Sequence, residues 1–275
     1  MAEIKATGAL DFEAYLANFD ATFAPMGRGA FSDGLSGDEY VLWSGPSTIP
    51  VTGAQAFILE SGEDGDLAYD FTTHTVGGTI DAIEFGIGVT ENDGDYSTAA
   101  SVRIEDLGLS STGAAGIVNQ LTLDLMGGNT DVLLGLLKKT NIEFTGSAGD
   151  DVFTGFDGKD ELNGGKGNDD LSGGKGRDVL NGGKGDDALF GGAGKDTYEF
   201  DGKKFGNDVI EGFSAGKGKG DVIQFDDKVF DSFADVLGAA KEKGGNVVIT
   251  ISDTASVTLT GVGLDDLHRN DFIFD

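Results

Sequence analysis

The chain has 275 residues, 47 of them glycine and 3 proline, no cysteine, and 48 acidic against 19 basic residues, for a formal net charge of −29. This length accommodates two or three domains, and 39% hydrophobic content supports packed cores rather than disorder. Such a charge repels nucleic-acid phosphates and anionic lipid, the lack of cysteine excludes a disulfide framework, and no apolar run approaches the ~20 residues of a membrane-spanning helix.

The N-terminal stretch MAEIKATGALDFEAYL lacks the charged-then-apolar layout of a cleaved signal peptide. Residues 11–23 are predicted helical, with Tyr15, Leu16, Phe19 and Phe23 at helical spacing. Strand-like runs follow at 39–44 (EYVLWS), 54–60 (AQAFILE), 67–73 (LAYDFTT) and 81–87 (DAIEFGI). Residues 114–126 and 131–139 read as two helices joined by Gly127 and Gly128, with Asn129 or Thr130 as N-cap of the second. Strands in the middle and helices at the ends predict an α+β domain over residues 1–145, a curved antiparallel sheet with helices packed on one face. The block holds only five basic residues, Lys5, Arg28, Arg103, Lys138 and Lys139. The paired acids Glu63/Asp64 and Asp93/Asp95 lack EF-hand spacing and read as surface charge in loops.

Four segments of this block, EAYLANFDATF (13–23), SDGLSGDEYVL (32–42), LAYDFTTHTVGGTIDAIEFGIGV (67–89) and VNQLTLDLMGGNTDVLLGLL (118–137), resemble, in collinear order, the HasA family of secreted hemophores. The resemblance implies ferric heme as cofactor, an outer-membrane heme receptor as partner, Tyr69 as axial ligand, and His74 as acceptor of its hydrogen bond. A phenol with pKa near ~10 ligates poorly at neutral pH unless Fe³⁺ acts as a Lewis acid and a neighbour takes the proton. An imidazole suits the second task. From spacing alone, a tyrosine on an alternating strand is equally a packing residue, and a lone histidine in a loop need have no role. Two features depart from the family pattern. Residues 24–31 (APMGRGAF) hold no histidine for a second axial position, which leaves the iron five-coordinate, water-ligated or bound by Met26, and the segment between Tyr69 and His74 is short.

Six consecutive nonads follow from Gly146 to Glu199: GSAGDDVFT, GFDGKDELN, GGKGNDDLS, GGKGRDVLN, GGKGDDALF and GGAGKDTYE. The fourth position is always glycine (Gly149, Gly158, Gly167, Gly176, Gly185, Gly194) and the sixth always aspartate (Asp151, Asp160, Asp169, Asp178, Asp187, Asp196). The eighth is large and apolar: Phe153, Leu162, Leu171, Leu180, Leu189, Tyr198. Glycines let the first six residues curl with carbonyl oxygens inward, and the apolar residue sits on a short strand pointing into the interior. With two nonads per coil, turns n and n+2 stack, and a hard cation between them takes glycine carbonyls and the aspartate carboxylate as ligands. A flexible glycine-rich linker has no reason to keep aspartate and leucine in register six times. The pattern is that of the repeats-in-toxin family and predicts a calcium-binding parallel β-roll over 146–200, with about four complete sites and partial ones at the ends.

Beyond Tyr198 come a vestigial turn (Gly206, Asn207, Asp208, Ile210), alternating runs at 221–227, 246–252 and 256–261, and a predicted amphipathic helix over 230–243. Residues 201–275 thus read as a β-rich cap on the roll. The stretch 206–275 is similar to the C-terminal region of serralysin-type exoproteins, and the resemblance implies an uncleaved signal for the type I secretion apparatus. The serralysin chemistry is not carried over: with His74 and His268 the only histidines, the H-E-x-x-H zinc motif is absent, as are a G-x-S-x-G elbow and a phosphate loop. The sequence therefore leads us to expect a secreted, extracellular, non-enzymatic protein binding calcium and heme, neither membrane-spanning nor nucleic-acid-binding. The alternative is a calcium-dependent adhesive or matrix module that binds no heme.

Overall fold

The computed structural model describes residues 1–23, 30–31, 36–37, 39–43, 51–61, 67–70, 75–92, 95–111, 115–216, 218 and 220–274. They divide into two compact units, one of Met1–Thr7 with Glu13–Leu137 and the other of Gly8–Phe12 with Lys138–Asp275. Among the described residues no helix is long and apolar enough to cross a membrane.

The first unit is α+β. Among the described residues it holds antiparallel strands in the order Ala30–Phe31, Glu39–Trp43, Val51–Glu60, Ala82–Asn92, Asp95–Glu105 and Ala2–Ala6. Ala56, Phe57, Ile58 and Leu59 are all buried, so both faces of this central strand are covered. The helix Phe12–Thr22 supplies one cover: Leu16, Phe19 and Phe23 recur on one face, and the Phe19 ring meets Phe85 edge-on at 5.1 Å. A second antiparallel sheet runs Leu109–Ser111, Thr75–Ile80, Leu67–Asp70, Ser36–Gly37. The helix Ile117–Met126 closes on it, Asn119 Oδ1 accepting the Val76 N–H at 2.8 Å. The last helix of the unit, Asp131–Leu137, begins where Asn129 Oδ1 accepts the Asp131 N–H at 3.0 Å, while Thr130 turns instead to Asp20. Asp95 lies not in a loop but at the start of a strand, its backbone paired with Asn92; Glu63, Asp64 and Asp93 lie outside the described residues.

The second unit is a parallel β-roll. Each nonad gives a short strand around its eighth residue, and pairing advances by 18 residues: Phe153 to Leu171 to Leu189 on one sheet, Leu162 to Leu180 to Tyr198 on the other. All six side chains are buried. The coil that precedes the first nonads is built from two places. Ile142–Thr145 pairs in parallel with Glu161–Asn163, and Gly8–Phe12 reaches the other sheet, where Asp11 bridges Val152 and the Val152 N–H donates to the Leu10 carbonyl at 2.5 Å. Phe12 and Phe144 both pack on Phe153, at 5.2 and 4.1 Å between ring centroids.

After Tyr198 both sheets continue. Asn207–Glu211 and then Ala255–Leu259 extend one ladder, Val222–Phe225 and then Phe272–Phe274 the other, all in parallel. The helix expected over 230–243 is shorter. It occupies Phe233–Ala239, and Ala240–Lys243 is a strand antiparallel to Asn246–Ser252. Gly244 and Gly245, at φ +64° and +81°, make a two-residue hairpin turn that only glycine adopts readily, and this turn ends the helix by offering the chain a strand partner.

Candidate functional site

The sixth-position aspartates form a continuous ladder. The backbone N–H of each donates to Oδ1 of the aspartate one coil further on: Asp151 to Asp169 (2.8 Å), Asp160 to Asp178 (2.9 Å), Asp169 to Asp187 (2.8 Å) and Asp178 to Asp196 (3.0 Å). The ladder runs past the nonads at both ends. Leu10 and Ile142 donate into Asp151 and Asp160, and Asp187 and Asp196 donate into Asp208 and Asp221. Asp208 and Asp221 stand 21 and 25 residues beyond their partners rather than 18, so a fixed-period reading loses Asp221 altogether. Its signal in the sequence was an aspartate two residues before an inward Ile223, the same spacing as in every nonad.

The second carboxylate oxygen separates the six nonads into two classes. In the first two, residue 2 is Ser147 or Phe156, and its N–H donates to Oδ2 of the aspartate in its own nonad, Asp151 at 2.6 Å and Asp160 at 3.1 Å. In the other four, residue 2 is Gly165, Gly174, Gly183 or Gly192, at φ between +92° and +95°. That left-handed backbone is open to glycine and strained for serine or phenylalanine. In these four nonads Oδ2 of Asp169, Asp178, Asp187 and Asp196 is buried and has no hydrogen-bond partner. The two differences go together: where a glycine at positive φ stands in place of Ser147 or Phe156, no N–H reaches the oxygen.

Main-chain oxygens converge on the same points. A Cβ built on Gly173 would lie 2.7 Å from both Asp178 Oδ2 and the Gly191 carbonyl oxygen, and one built on Gly155 would lie 2.5 Å from Asp160 Oδ2 and the Gly173 carbonyl. On Gly164 it would collide with Asp169 Oδ2 and the Gly182 carbonyl. At Gly191 the carbonyl of a further coil is replaced by the Tyr198 hydroxyl, which accepts the Gly191 N–H at 2.8 Å. Burial, the first cause in each case, raises the carboxyl of Asp169 to about 6 and those of Asp178 and Asp208 to about 7, and it also raises Asp160, Asp187 and Asp196. Among the described residues no three acidic or imidazole side chains converge to hold a metal. The donor set is one carboxylate plus backbone carbonyls, all oxygen, which fits a hard divalent cation such as Ca²⁺ and not zinc.

In the first unit, the backbone of Tyr69 pairs with Val76 in a ladder whose last pair is Asp70 with Thr75. His74 and Met26 lie outside the described residues. Two cations of that unit's sheet are engaged by acids, Arg103 by Glu60, Glu84 and Glu105 and Lys5 by Glu3 and Glu105.

Comparison with known proteins agrees with the roll. The family model of the RTX calcium-binding nonapeptide repeat matches residues 143–171 and 164–198, so this part of the chain consists of RTX calcium-binding repeats. Among solved structures the chain is similar to the apo hemophore HasA from Yersinia pestis, at 25% identity over 50% of this chain and 87% of that one, with a TM-score of 0.43. It is also similar to the AlgE6R3 subunit of the Azotobacter vinelandii mannuronan C5-epimerase (26% identity, 47% and 80% coverage, TM-score 0.36). The extracellular lipase LipA from Serratia marcescens matches at 17% identity over 50% of this chain and 40% of that one, with a TM-score of 0.30. No curated protein sequence matches the chain.

Proposed function

We propose that the chain is a secreted, non-enzymatic protein whose β-roll folds on extracellular calcium and whose N-terminal unit binds ferric heme. The observation that carries the calcium reading is the set of four buried, unpartnered Oδ2 atoms at Asp169, Asp178, Asp187 and Asp196, each in a cradle of glycine backbone. A buried polar atom without a partner costs about 1–3 kcal/mol, more when charged. Four of them oppose folding by about 4–12 kcal/mol, as much as a typical domain's whole stability of about 5–15 kcal/mol. A bound cation removes that opposition. Extracellular modules bind calcium at about 10⁻⁴–10⁻³ M, so the cytosol leaves such a roll unfolded and fit for export by a type I apparatus. The working division is a heme-binding module over 1–145, the calcium module over 146–200 and a cap with secretion signal over 201–275. Gly149, Gly158, Gly167, Gly176, Gly185 and Gly194 complete the proposed metal shell, while Asp151 and Asp160, whose second oxygens already accept the N–H of residue 2, stand as satisfied rungs at its start.

The heme reading rests on the collinear HasA-like segments, with Tyr69 as axial phenolate and His74 as its proton acceptor. Hemin added to the calcium-loaded protein is expected to give a shifted Soret band with tyrosinate charge-transfer bands. Tyr69→Phe abolishes them with the fold intact, and His74→Ala weakens binding by roughly 10–100-fold. A hemin spectrum unchanged by the wild-type protein, or equal binding by Tyr69→Phe, refutes this and leaves the adhesive-module reading. Calcium-induced circular dichroism tests the roll independently.

A further inference from the structure

The two rims of the roll are built from the same repeat and differ at the fifth position. On the rim of the first, third and fifth nonads that position holds Asp150, Asn168 and Asp186. Their side chains form an outer ladder: the Asn168 N–H donates to Asp150 Oδ1 (2.7 Å), the Asp186 N–H to Asn168 Oδ1 (2.8 Å) and the Asn207 N–H to Asp186 Oδ1 (2.7 Å). On the opposite rim the ladder makes one bond, the Lys159 N–H to Asn141 Oδ1 at 3.1 Å, and goes no further. The fifth residues there are Lys159, Arg177 and Lys195, which carry donors only and have no atom to accept the next coil's N–H.

These three cations are held in a column. The residue before each, Gly158, Gly176 or Gly194, is paired in parallel, and the residue after each is a laddered aspartate, so the side chains repeat once per coil, about 4.8 Å apart. All three are exposed. Lys175 joins them on the same rim, and the third-position acid there is Asp157, bonded to Lys175 at 2.8 Å. Like charges stacked across strands destabilise a sheet, so the column weakens the roll twice, by repulsion and by the hydrogen bonds it forgoes. Balancing the buried aspartates does not account for it. The other rim buries Asp151, Asp169 and Asp187 equally and places aspartate or asparagine, not cations, at the fifth position. In a chain of net charge −29 this is a local row of positive charge with a fixed repeat.

We propose that the rim bearing Lys159, Arg177 and Lys195 is a docking face for a linear acidic polysaccharide, whose uronate carboxylates on the facing side of the chain meet the column of cations. The inference rests on the calcium-folded roll described above. A carboxylate matches the planar fork of Arg177, and a slender chain with one carboxylate per sugar can lie along a single file of cations and turn part of its carboxylates toward it. A nucleic-acid duplex carries one phosphate per about 3.4 Å of axis on each strand, a denser and wider array than one cation per coil in single file. A lipid surface would call for a broad basic face, whereas this one is a single file.

The test uses the full chain at saturating calcium, titrated calorimetrically with short oligogalacturonates and oligomannuronates, with duplex DNA and phosphatidylserine vesicles in parallel. The expected result is binding of one or both oligouronates that weakens with salt. Lys159→Gln/Arg177→Gln/Lys195→Gln is expected to lose about 10-fold or more. Lys166→Gln/Lys184→Gln, on the opposite rim, is expected to change affinity by less than about 2-fold. Absence of oligouronate binding, equal loss in both variants, unchanged binding in the triple variant, or column-dependent binding of DNA or vesicles in place of oligouronates overturns the proposal. Calcium-induced circular dichroism on the same samples separates this from failure of the calcium reading. A sample whose spectrum ignores calcium refutes that reading, and its oligouronate titration is still read on the same terms.

Discussion

Asp178→Asn and Asp160→Asn are the same chemical change in two nonads stacked in adjacent coils, and the structure gives them opposite effects on the calcium-free roll. At Asp178, Oδ1 accepts the Asp160 N–H and Oδ2 accepts nothing. Asparagine keeps the first bond, removes the buried charge and puts its Nδ2 donor where the Gly191 carbonyl oxygen converges, so the apo roll gains about 1–3 kcal/mol. At Asp160 both oxygens are in use, Oδ1 by Ile142 and Oδ2 by Phe156. Asparagine has one acceptor oxygen for two donors, loses a hydrogen bond, and costs the apo roll about 0.5–1.5 kcal/mol, or more where the N–H stays unmet. With calcium the order reverses in severity. Asp178→Asn removes the one carboxylate oxygen of its cradle and raises the calcium midpoint for folding by about an order of magnitude, while Asp160→Asn moves it by less than about 3-fold. The assay is hydrogen exchange of the Leu171 and Leu180 amides, with far-ultraviolet circular dichroism, across a calcium series that begins in chelator. Equal apo stability for the two variants, or equal calcium midpoints, refutes the division of the nonads into satisfied and unsatisfied classes.

Other outcomes follow from the same geometry. Because burial raises Asp169 to about 6 and Asp178 and Asp208 to about 7, well above an unfolded carboxyl, the folded apo roll binds more protons than the unfolded chain. Its stability is therefore greatest below about pH 4 and is lost as pH rises through 6 to 7; circular dichroism in chelator should show β-structure at pH 5 that fades by pH 8, and its absence at pH 5 counts against protonation as a stand-in for calcium. Ser147→Gly, which lets residue 2 of the first nonad adopt a positive φ, should free Asp151 Oδ2 and raise the calcium stoichiometry measured by titration; an unchanged count removes residue 2 as the determinant. Deleting residues 1–12 removes Leu10 and Phe12 from the first coil, so amide exchange at Val152 and Phe153 should accelerate by at least about 10-fold in calcium while exchange near Leu189 holds, and uniform protection would show that this rung is dispensable.

The nonads were legible because each position answers to one physical demand: a curl that only glycine makes, an acid at the turn, an apolar residue inward. The strand at 39–43, the first half of the strand Ala82–Asn92 (expected over 81–87) and the three helices of the first unit were legible from periodicity for the same reason. Other elements carry no local demand. Asp95–Glu105, with sequence DYSTAASVRIE, becomes a strand because it lies between Ala82–Asn92 and Ala2–Ala6, and its own composition is mostly small and polar. Ala240–Lys243 reads as helix by propensity and is a strand because the Gly244–Gly245 turn returns the chain onto it. Gly8–Phe12 has no nonad feature, and its bond to Asp151 spans 141 residues of sequence, so nothing local announces it as a rung of the roll. The difference between Ser147 or Phe156 and the four second-position glycines was visible from the start, yet its meaning depends on where the N–H points, which only the coil geometry shows.

The aspartate ladder divides two tasks between the two oxygens of one side chain. Oδ1 accepts a backbone N–H from the neighbouring coil, a bond made wholly within the polypeptide, so the register of the roll is written into the chain. Oδ2 lies on the glycine side, where in four nonads no protein donor reaches it. The architecture is therefore specified without metal and opposed by its own buried charge until metal arrives. Had all six second positions been serine, the same ladder would fold with every carboxylate satisfied and would have no use for calcium. Had Oδ1 also lacked a donor, calcium would have had to set the register as well as the stability. The second-position glycine thus decides, nonad by nonad, whether folding waits for a cation, and the chain places four waiting nonads between ends tied down by Leu10, Ile142, Asp208 and Asp221.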